Sequence, residues 1–257
     1  MSRKILVTGA SSGFGEAIAW KFAASGDNLV ITGRRSDRLN ELAEKIKSKH
    51  GVEVLVKVFD VQNRMQVFQA LQEEPYLQDL DVVVNNAGLA LGRDLFDEAS
   101  LDDWETMIDT NVKGLLYVTK AVLPFFISRG RGHIINIGST AGKEVYERGN
   151  VYCATKHAVE ALSQSMRIDL VKHAIKVTAI HPGAADTEFS LVRFKGDSAK
   201  AAAVYQGFTP LYGSDVADTV HYCAGLPEHV CINSLVMTST AQPNSFYLHR
   251  STEQARF

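Results

Sequence analysis

Cysteine is scarce and unpatterned in this chain. Cys153, Cys223 and Cys231 are the three among 257 residues, an odd number with no C-x-x-C spacing. That argues against a disulfide framework and a cysteine metal site, and reads as reduced thiols in the cytoplasm. No metal is expected. Long apolar runs are missing too, so no membrane span is predicted. With a net charge of −2 and no polybasic tract, neither nucleic acid nor anionic membrane is an expected partner. No linker rich in Pro, Gly or Ser divides the chain, and no internal repeat or low-complexity segment occurs. One domain over 1–257 is therefore expected. A patterned strand beginning at Lys4 or Ile5 leaves no room for a signal peptide.

What is present is the 46% apolar, 22% charged composition of an ordinary globular core, with short apolar runs alternating with helical periods. "KILVTGA" reads as a strand, and Phe14 to Ser25 as a helix closed by Gly26. "NLVITG" is a second strand. Ser36 caps a predicted helix to about His50, with Leu39, Leu42, Ala43 and Ile46 on one face and Gly51 behind it. "VEVLVKVFD" and "LDVVVNNAG" are strands three and four. A long helix carrying Trp104, Met107, Ile108, Leu115 and Leu116 follows. Pro124 should kink or end it, because proline cannot donate to the Lys120 carbonyl. "GHIINIGS" is strand five, Tyr152 to His173 a helix, "KVTAIHPG" strand six, Ser214 to Ala224 a helix, and "NSLVMTS" a seventh strand. Strands that are apolar throughout, alternating with helices, predict a doubly wound α/β fold with a mainly parallel sheet covered on both faces.

"VTGASSGFGEA" joins the first strand to the first helix and spaces Gly9, Gly13 and Gly15 as G-x-x-x-G-x-G. Glycines there permit a tight turn and let backbone N–H groups approach a pyrophosphate at a helix N-terminus. A glycine-rich turn without a ligand is the alternative; the position after an N-terminal strand favours a nucleotide. The second strand ends "TGRRSD", so Arg34 and Arg35 stand where an acid would hold the ribose 2′-hydroxyl of NAD. Guanidinium binds phosphate bidentately and carboxylate repels it, so NADP(H) is expected. Asp37 is expected to serve the first turn of the next helix.

"NVYCATKHAV" sets Tyr152 four residues before Lys156, on one helical face. An ammonium about 5 Å from a phenol, at an effective dielectric of about 20, lowers the phenol pKa by roughly 2 units from about 10. That brings it toward acid–base work near neutral pH. The pair alone also fits a packed tyrosine and a solvated lysine. "INIGSTAG" adds Ser139 at the carboxyl end of strand five, and "NNAG", Asn85 to Gly88, closes strand four on the same edge, where open α/β sheets hold ligands.

With these motifs in order over nearly its whole length, the chain resembles the short-chain dehydrogenase/reductase family in its one-domain Rossmann form. The resemblance implies Ser139, Tyr152 and Lys156 as catalytic residues, with Asn111 of "DTNVKG" as the fourth, holding a water. It implies nucleotide contacts from Thr8, Gly9, Ser11, Ser12, Gly13, Phe14 and Gly15, from Asp60 and Val61, and from Asn86, Ala87 and Gly88. Pro182, Gly183 and Thr187 of "PGAADT" complete that set, along with Tyr152 and Lys156. Hydride would pass between the nicotinamide and a carbonyl or alcohol carbon. Tyr152 would move the proton, and Ser139 would hydrogen-bond the substrate oxygen.

Within the family, "WETMIDTNVKGLLYVT", "GHIINIGSTAG" and "FSLVRFKGD" are most similar to the branch that acts on 3-hydroxy acids with NADP. Such substrates include serine, allo-threonine, 3-hydroxyisobutyrate and their semialdehydes. A small acid needs a cationic anchor, for which Arg193, Lys195 and Arg148 are candidates. The first two lie in a segment, about 187–212, that the family uses as a lid. The alternatives are reduction of another small carbonyl, such as a sulfonated aldehyde or a pteridine side chain, and a non-catalytic nucleotide-binding protein. Family likeness implies a homotetramer, with the tail from about 240, containing Phe246, Tyr247 and Leu248, available for a subunit contact. Cys153 beside Tyr152 is expected to be a buried inert thiol. His181 either touches the nicotinamide region or ends its strand.

Overall fold

A computed structural model describes residues 2–251; Met1 and positions 252–257, the end of the anticipated tail, lie outside the described residues. β1 (Lys4–Thr8) is buried at every position, and so is β4 (Val82–Asn85). Strands without polar alternation cannot face water, and successive side chains on them serve opposite cores. Ile5 and Val7 enter one core with Leu29, Ile31 and Val84, whereas Leu6 enters the other with Val30 and Val83.

Between these strands lie α1 (Gly13–Ala24), β2 (Asn28–Gly33), α2 (Ser36–His50), β3 (Val54–Val58) and α3 (Arg64–Leu71). After β4 come α4 (Leu101–Ile108), α5 (Leu115–Arg129), β5 (Gly132–Ile137), α6 (Asn150–Leu170) and β6 (Ile175–Pro182). The chain continues through α7 (Glu188–Arg193), α8 (Ser198–Ala203), α9 (Gly213–Ala224) and β7 (Ser234–Met237). The seven strands form one sheet in the order β3-β2-β1-β4-β5-β6-β7, and every pairing is parallel. Residues of α1, α2 and α9, among them Ile18, Phe22, Leu39 and Val220, pack on one face. Residues of α3, α5 and α6, among them Leu71, Val118, Phe126 and Leu170, pack on the other. The doubly wound expectation is met, with a fully parallel sheet. Strand order reverses between β1 and β4, which opens a crevice at the carboxyl ends of the strands.

Two local expectations need correction. Pro124 does not end its helix: α5 runs through it to Arg129. Pro124 and Lys120 both lie on the exposed side, where water can serve the carbonyl that loses its donor. Ser36 is the first helical residue of α2 rather than its cap; Arg35 holds the cap position without a side-chain bond. Between α4 and α5, residues Asp109–Gly114 form a π-helical turn, a widening that recurs at functional sites.

The segment expected to be a lid, about 187–212, leaves and rejoins the body at one point. Ala185 pairs with Leu211, Leu211 N–H donates to Ala184 O at 3.0 Å, and Asp186 N–H donates to Leu211 O at 2.8 Å. Arg250 of the tail donates to Val204 O at 2.9 Å and also to Gln206 O, fastening the tail to the lid.

Phe126 is fully buried between α5 and the sheet. Phe126→Ala should lower the free energy of unfolding by about 3–5 kcal/mol in chemical denaturation, from lost transfer energy plus the cavity left behind.

Candidate active site

The turn after β1 is built on close approach. Gly9 and Gly13 take φ of 67° and 59°, a region costly for other residues. A Cβ on Gly15 would lie 2.4 Å from Gly9 O and 2.5 Å from Asn86 Nδ2. Thr8 staples β1 to the loop after β4: its Oγ1 accepts from Asn86 N–H and Ala87 N–H, both at 3.0 Å. Asn86 Nδ2 returns a bond to Thr8 O at 2.8 Å.

Above this turn lies a cavity of about 900 Å³. Of the expected nucleotide residues, Gly9, Ser11, Ser12, Gly13, Phe14, Arg34, Arg35, Asp60, Val61, Asn86, Ala87, Gly88, Pro182, Gly183 and Thr187 line it. Thr8 and Gly15 do not; they sit behind the turn and hold its shape. Thr187 crosses over the turn, so a Cβ on Gly13 would lie 3.4 Å from Thr187 Cβ. At the edge beyond β2, Arg35 Nε donates to Ser11 Oγ at 3.0 Å and its Nη2 donates to Ser12 Oγ. Arg34 pairs with Asp60 at 3.5 Å. Asp37 lies exposed in the first turn of α2, as expected. These residues fit a dinucleotide: N–H groups freed of side chains at a helix start, and guanidinium groups at the ribose end.

Ser139, Tyr152 and Lys156 line the same cavity. Ser139 follows β5, and its Oγ accepts from Ala141 N–H at 3.1 Å. Tyr152 is 7% exposed, and its ring is tilted at 57° to that of Phe189 on α7, with centroids 5.6 Å apart. The Lys156 ammonium lies 5.9 Å from the phenol ring centre and donates to Ile137 O at 3.0 Å. Burial lowers its pKa to about 8.

The electrostatics correct one expectation. The phenol pKa is raised, chiefly by burial and then by neighbouring Tyr146, while Ser139 and Arg193 pull it down. Lys156 is buried as well and turns one of its three N–H donors to Ile137 O. It is not among the groups that lower the phenol, so the protein's own groups leave the phenol protonated.

Asn111 is buried beside the cavity and does not line it. It clamps Leu89: Oδ1 accepts from Leu89 N–H at 2.8 Å, and Nδ2 donates to Leu89 O at 2.8 Å and to Thr155 Oγ1 at 3.1 Å. Both side-chain groups thus hold protein atoms, and the π turn carries this residue.

Arg193 lines the cavity; its Nε donates to Gly92 O at 3.1 Å and its Nη1 to Tyr146 Oη at 3.0 Å. Its guanidinium lies 5.6 Å from the Tyr152 ring centre. Arg148 is exposed, takes φ of 63° and does not line the cavity, although its neighbours Tyr146 and Glu147 do. Lys195 pairs with Asp103 at 2.8 Å. His181 is the last residue but one of β6, buried between Glu160 Oε2 at 2.8 Å and Ser139 O at 3.1 Å. Cys153 is a buried free thiol whose pKa burial raises. The tail lines this chain's own cavity through Gln242, Phe246, Tyr247 and Leu248.

Sequence reading missed Arg38, Glu188, Tyr146 and Gln242. Arg38 sits one helical turn from Arg35 and was findable by spacing; the other three are brought in by tertiary packing alone.

The family model described as short chain dehydrogenase matches residues 3–196. The chain belongs to the short-chain dehydrogenase family. It is similar to the NADP-dependent 3-hydroxy acid dehydrogenase of Salmonella typhi, 48% identical over 96% of this chain and 99% of that one. It is likewise similar to sulfoacetaldehyde reductase 2 of Chromohalobacter salexigens, 45% identical over 94% and 96%. Among solved structures, the closed form of serine dehydrogenase complexed with NADP+ superposes with a TM-score of 0.90, at 47% identity, covering 96% of this chain and 100% of that one.

Holding a charge on buried Lys156 costs stability below about pH 8, and the cost fades as pH rises toward the unfolded value near 10.4. Lys156→Met should therefore stabilise the protein at pH 7, by up to about 3 kcal/mol, and by much less at pH 10.5. Urea denaturation of both proteins at the two pH values checks this.

Proposed function

We propose that this protein is an NADP-dependent dehydrogenase that interconverts small 3-hydroxy acids, of the serine, allo-threonine or 3-hydroxyisobutyrate type, with their semialdehydes. The observation that carries the reading is that Tyr152 and Ser139 line one cavity with Arg34 and Arg35 and with Arg193, whose guanidinium lies 5.6 Å from the Tyr152 ring centre. The named activities of the similar proteins support it.

Bound in the cavity, the nicotinamide supplies the hydride acceptor or donor and, when oxidised, a positive charge beside the phenol. Ser139 donates a hydrogen bond to the substrate oxygen as charge develops on it. In reduction Tyr152 gives its proton to that oxygen while the carbonyl carbon gains the hydride. In oxidation the phenolate takes the hydroxyl proton, and the carbon–hydrogen bond breaks with its electron pair. Lys156, at the edge of its own titration, replenishes or accepts the proton and holds the ribose. Asn111 keeps Leu89, and with it the wall beside Lys156, in place. Thr8 and Gly15 shape the pyrophosphate turn, and Gly9, Ser11, Ser12, Gly13, Phe14, Asn86, Ala87, Gly88, Pro182, Gly183 and Thr187 face the nucleotide. Asp60 and Val61 face the adenine end, near Arg34 and Arg35.

The carboxylate of the substrate pairs with Arg193, which Gly92 and Tyr146 hold in place. A sulfonate carries the same single negative charge, on a tetrahedral rather than a planar group, and a guanidinium can pair with either. Reduction of sulfonated aldehydes is therefore a second reading that the same anchor supports. We place the protein in the cytoplasm, on its reduced thiols and because no helix among the described residues is long and apolar enough to cross a membrane. A homotetramer is our proposal for the assembly. Exposed apolar side chains on α4, α5 and α6, Leu101, Ile108, Leu116 and Ile168 among them, support it.

Tyr152→Phe is expected to lower kcat by about a thousandfold or more while leaving the NADP+ dissociation constant within about threefold; substantial residual turnover refutes the role. Arg193→Ala is expected to raise KM for 3-hydroxy acids by about tenfold or more and to leave small uncharged alcohols nearly unaffected. Equal effects on both substrate classes would count against the anchor.

A further inference from the structure

Helix α7 is tied at both ends, and both end residues line the cavity. Its last residue, Arg193, holds Gly92 and Tyr146 on the substrate side. Its first residue, Glu188, reaches the ribose edge, where its carboxylate bonds Arg35 Nη1 at 2.8 Å and Arg38 Nη1 at 2.6 Å. Arg35 is the guanidinium that also faces Ser11 and Ser12, so three residues engage its donor fork. Hydrogen bonds from both arginines hold the Glu188 carboxyl down to about 2, so it stays anionic at any working pH. Arg35 and Glu188 line the cavity; Arg38 does not.

We propose that Glu188 is a specificity-determining residue for the cofactor. Its carboxylate occupies Arg35 as an internal stand-in for the ribose 2′-phosphate, and a 2′-phosphorylated nucleotide binds by taking Arg35 from it. The proposal rests on the NADP reading above. An N–H group directed at one anion is not available to a second, and two anions on one guanidinium repel each other. NADP(H) therefore binds less tightly than the arginines alone would allow, whereas NAD(H), without that phosphate, leaves the pair undisturbed. Glu188 is tethered beside its partners, so it returns at high effective concentration as the phosphate departs, which hastens release. Arg38, one turn along α2 and outside the cavity, keeps a hold on Glu188 during the exchange. Because Glu188 directly follows Thr187, the exchange also loosens the cofactor-side end of the lid, while Arg193 keeps the other end.

Calorimetric titration of the purified full chain with NADP+, NAD+, adenosine 2′,5′-bisphosphate and ADP tests this. Wild type, Glu188→Gln and Glu188→Asp are compared, with circular dichroism to confirm folding. The wild type should prefer NADP+. Glu188→Gln should bind NADP+ and the bisphosphate about threefold to tenfold more tightly, and NAD+ and ADP within about twofold of wild type. Glu188→Asp, with its shorter reach, should show a smaller gain in the same direction. Stopped-flow release of NADPH from Glu188→Gln should slow by a similar factor. Unchanged or weaker NADP+ binding by Glu188→Gln overturns the proposal, the weaker case meaning that Glu188 pre-orders Arg35 for phosphate. A wild type that binds NADP+ and NAD+ equally overturns the cofactor reading and this proposal together.

Discussion

A charged amine held away from water needs an acceptor fixed in advance, and for Lys156 the sheet provides it. The ammonium donates to the carbonyl of Ile137, the last residue of β5. That bond ties helix α6 to the strand end from which Ser139 emerges, and so sets the phenol of Tyr152 beside the serine. The turn between them leaves no slack: a Cβ on Gly142 would lie 2.5 Å from the Lys156 backbone oxygen. On the other side Asn111 clamps Leu89, while a Cβ on Gly88 would lie 3.2 Å from Asn111 Oδ1 and 3.5 Å from Lys156 Nζ. Three elements that are far apart in the chain thus converge on one cation.

Arg34 and Arg35 line the cavity beyond β2 and Arg193 lines it from α7, and the buried side chains of Tyr152 and Lys156 stand in the same wall. Electrostatic interactions strengthen where water is excluded. The lid acts at both ends, because its six-residue helix carries an anion first and a cation last. The loop is closed at its base by the pairing of Ala185 with Leu211, and Arg250 binds the tail to it.

Much of this was legible in the chain because close approach and periodicity leave marks. Uninterrupted apolar runs gave the parallel sheet. Gly9, Gly13 and Gly15 gave the turn, and Tyr152 with Lys156 gave a shared helical face. Other features carried no local mark. Pro124 broke no helix, because a solvent-facing carbonyl tolerates the lost donor. The phenol's raised pKa was hidden because it depends chiefly on burial of Tyr152 and then on Tyr146 beside it, which spacing does not encode. Arg148 and Arg193 look alike in sequence, yet a left-handed φ and an exposed site separate the first from the cavity. Tyr146, Glu188 and Gln242 reach the site only through tertiary packing. The tail likewise folds onto its own chain, where Gln242 Oε1 accepts from Ala184 N–H at 2.7 Å.

Strand order also governs how the molecule can be assembled as it is synthesised. Chain order adds β2 to β1 and β3 to β2, so the chain up to Val58 can pair three of the seven strands from its own nearest segments. The arrival of β4 on the opposite side of β1 is the single reversal, and β5, β6 and β7 then join one after another at the newest edge. Each strand emerging from a ribosome thus finds its partner already made, which shortens the exposure of unpaired edges that makes parallel sheets prone to misassociation.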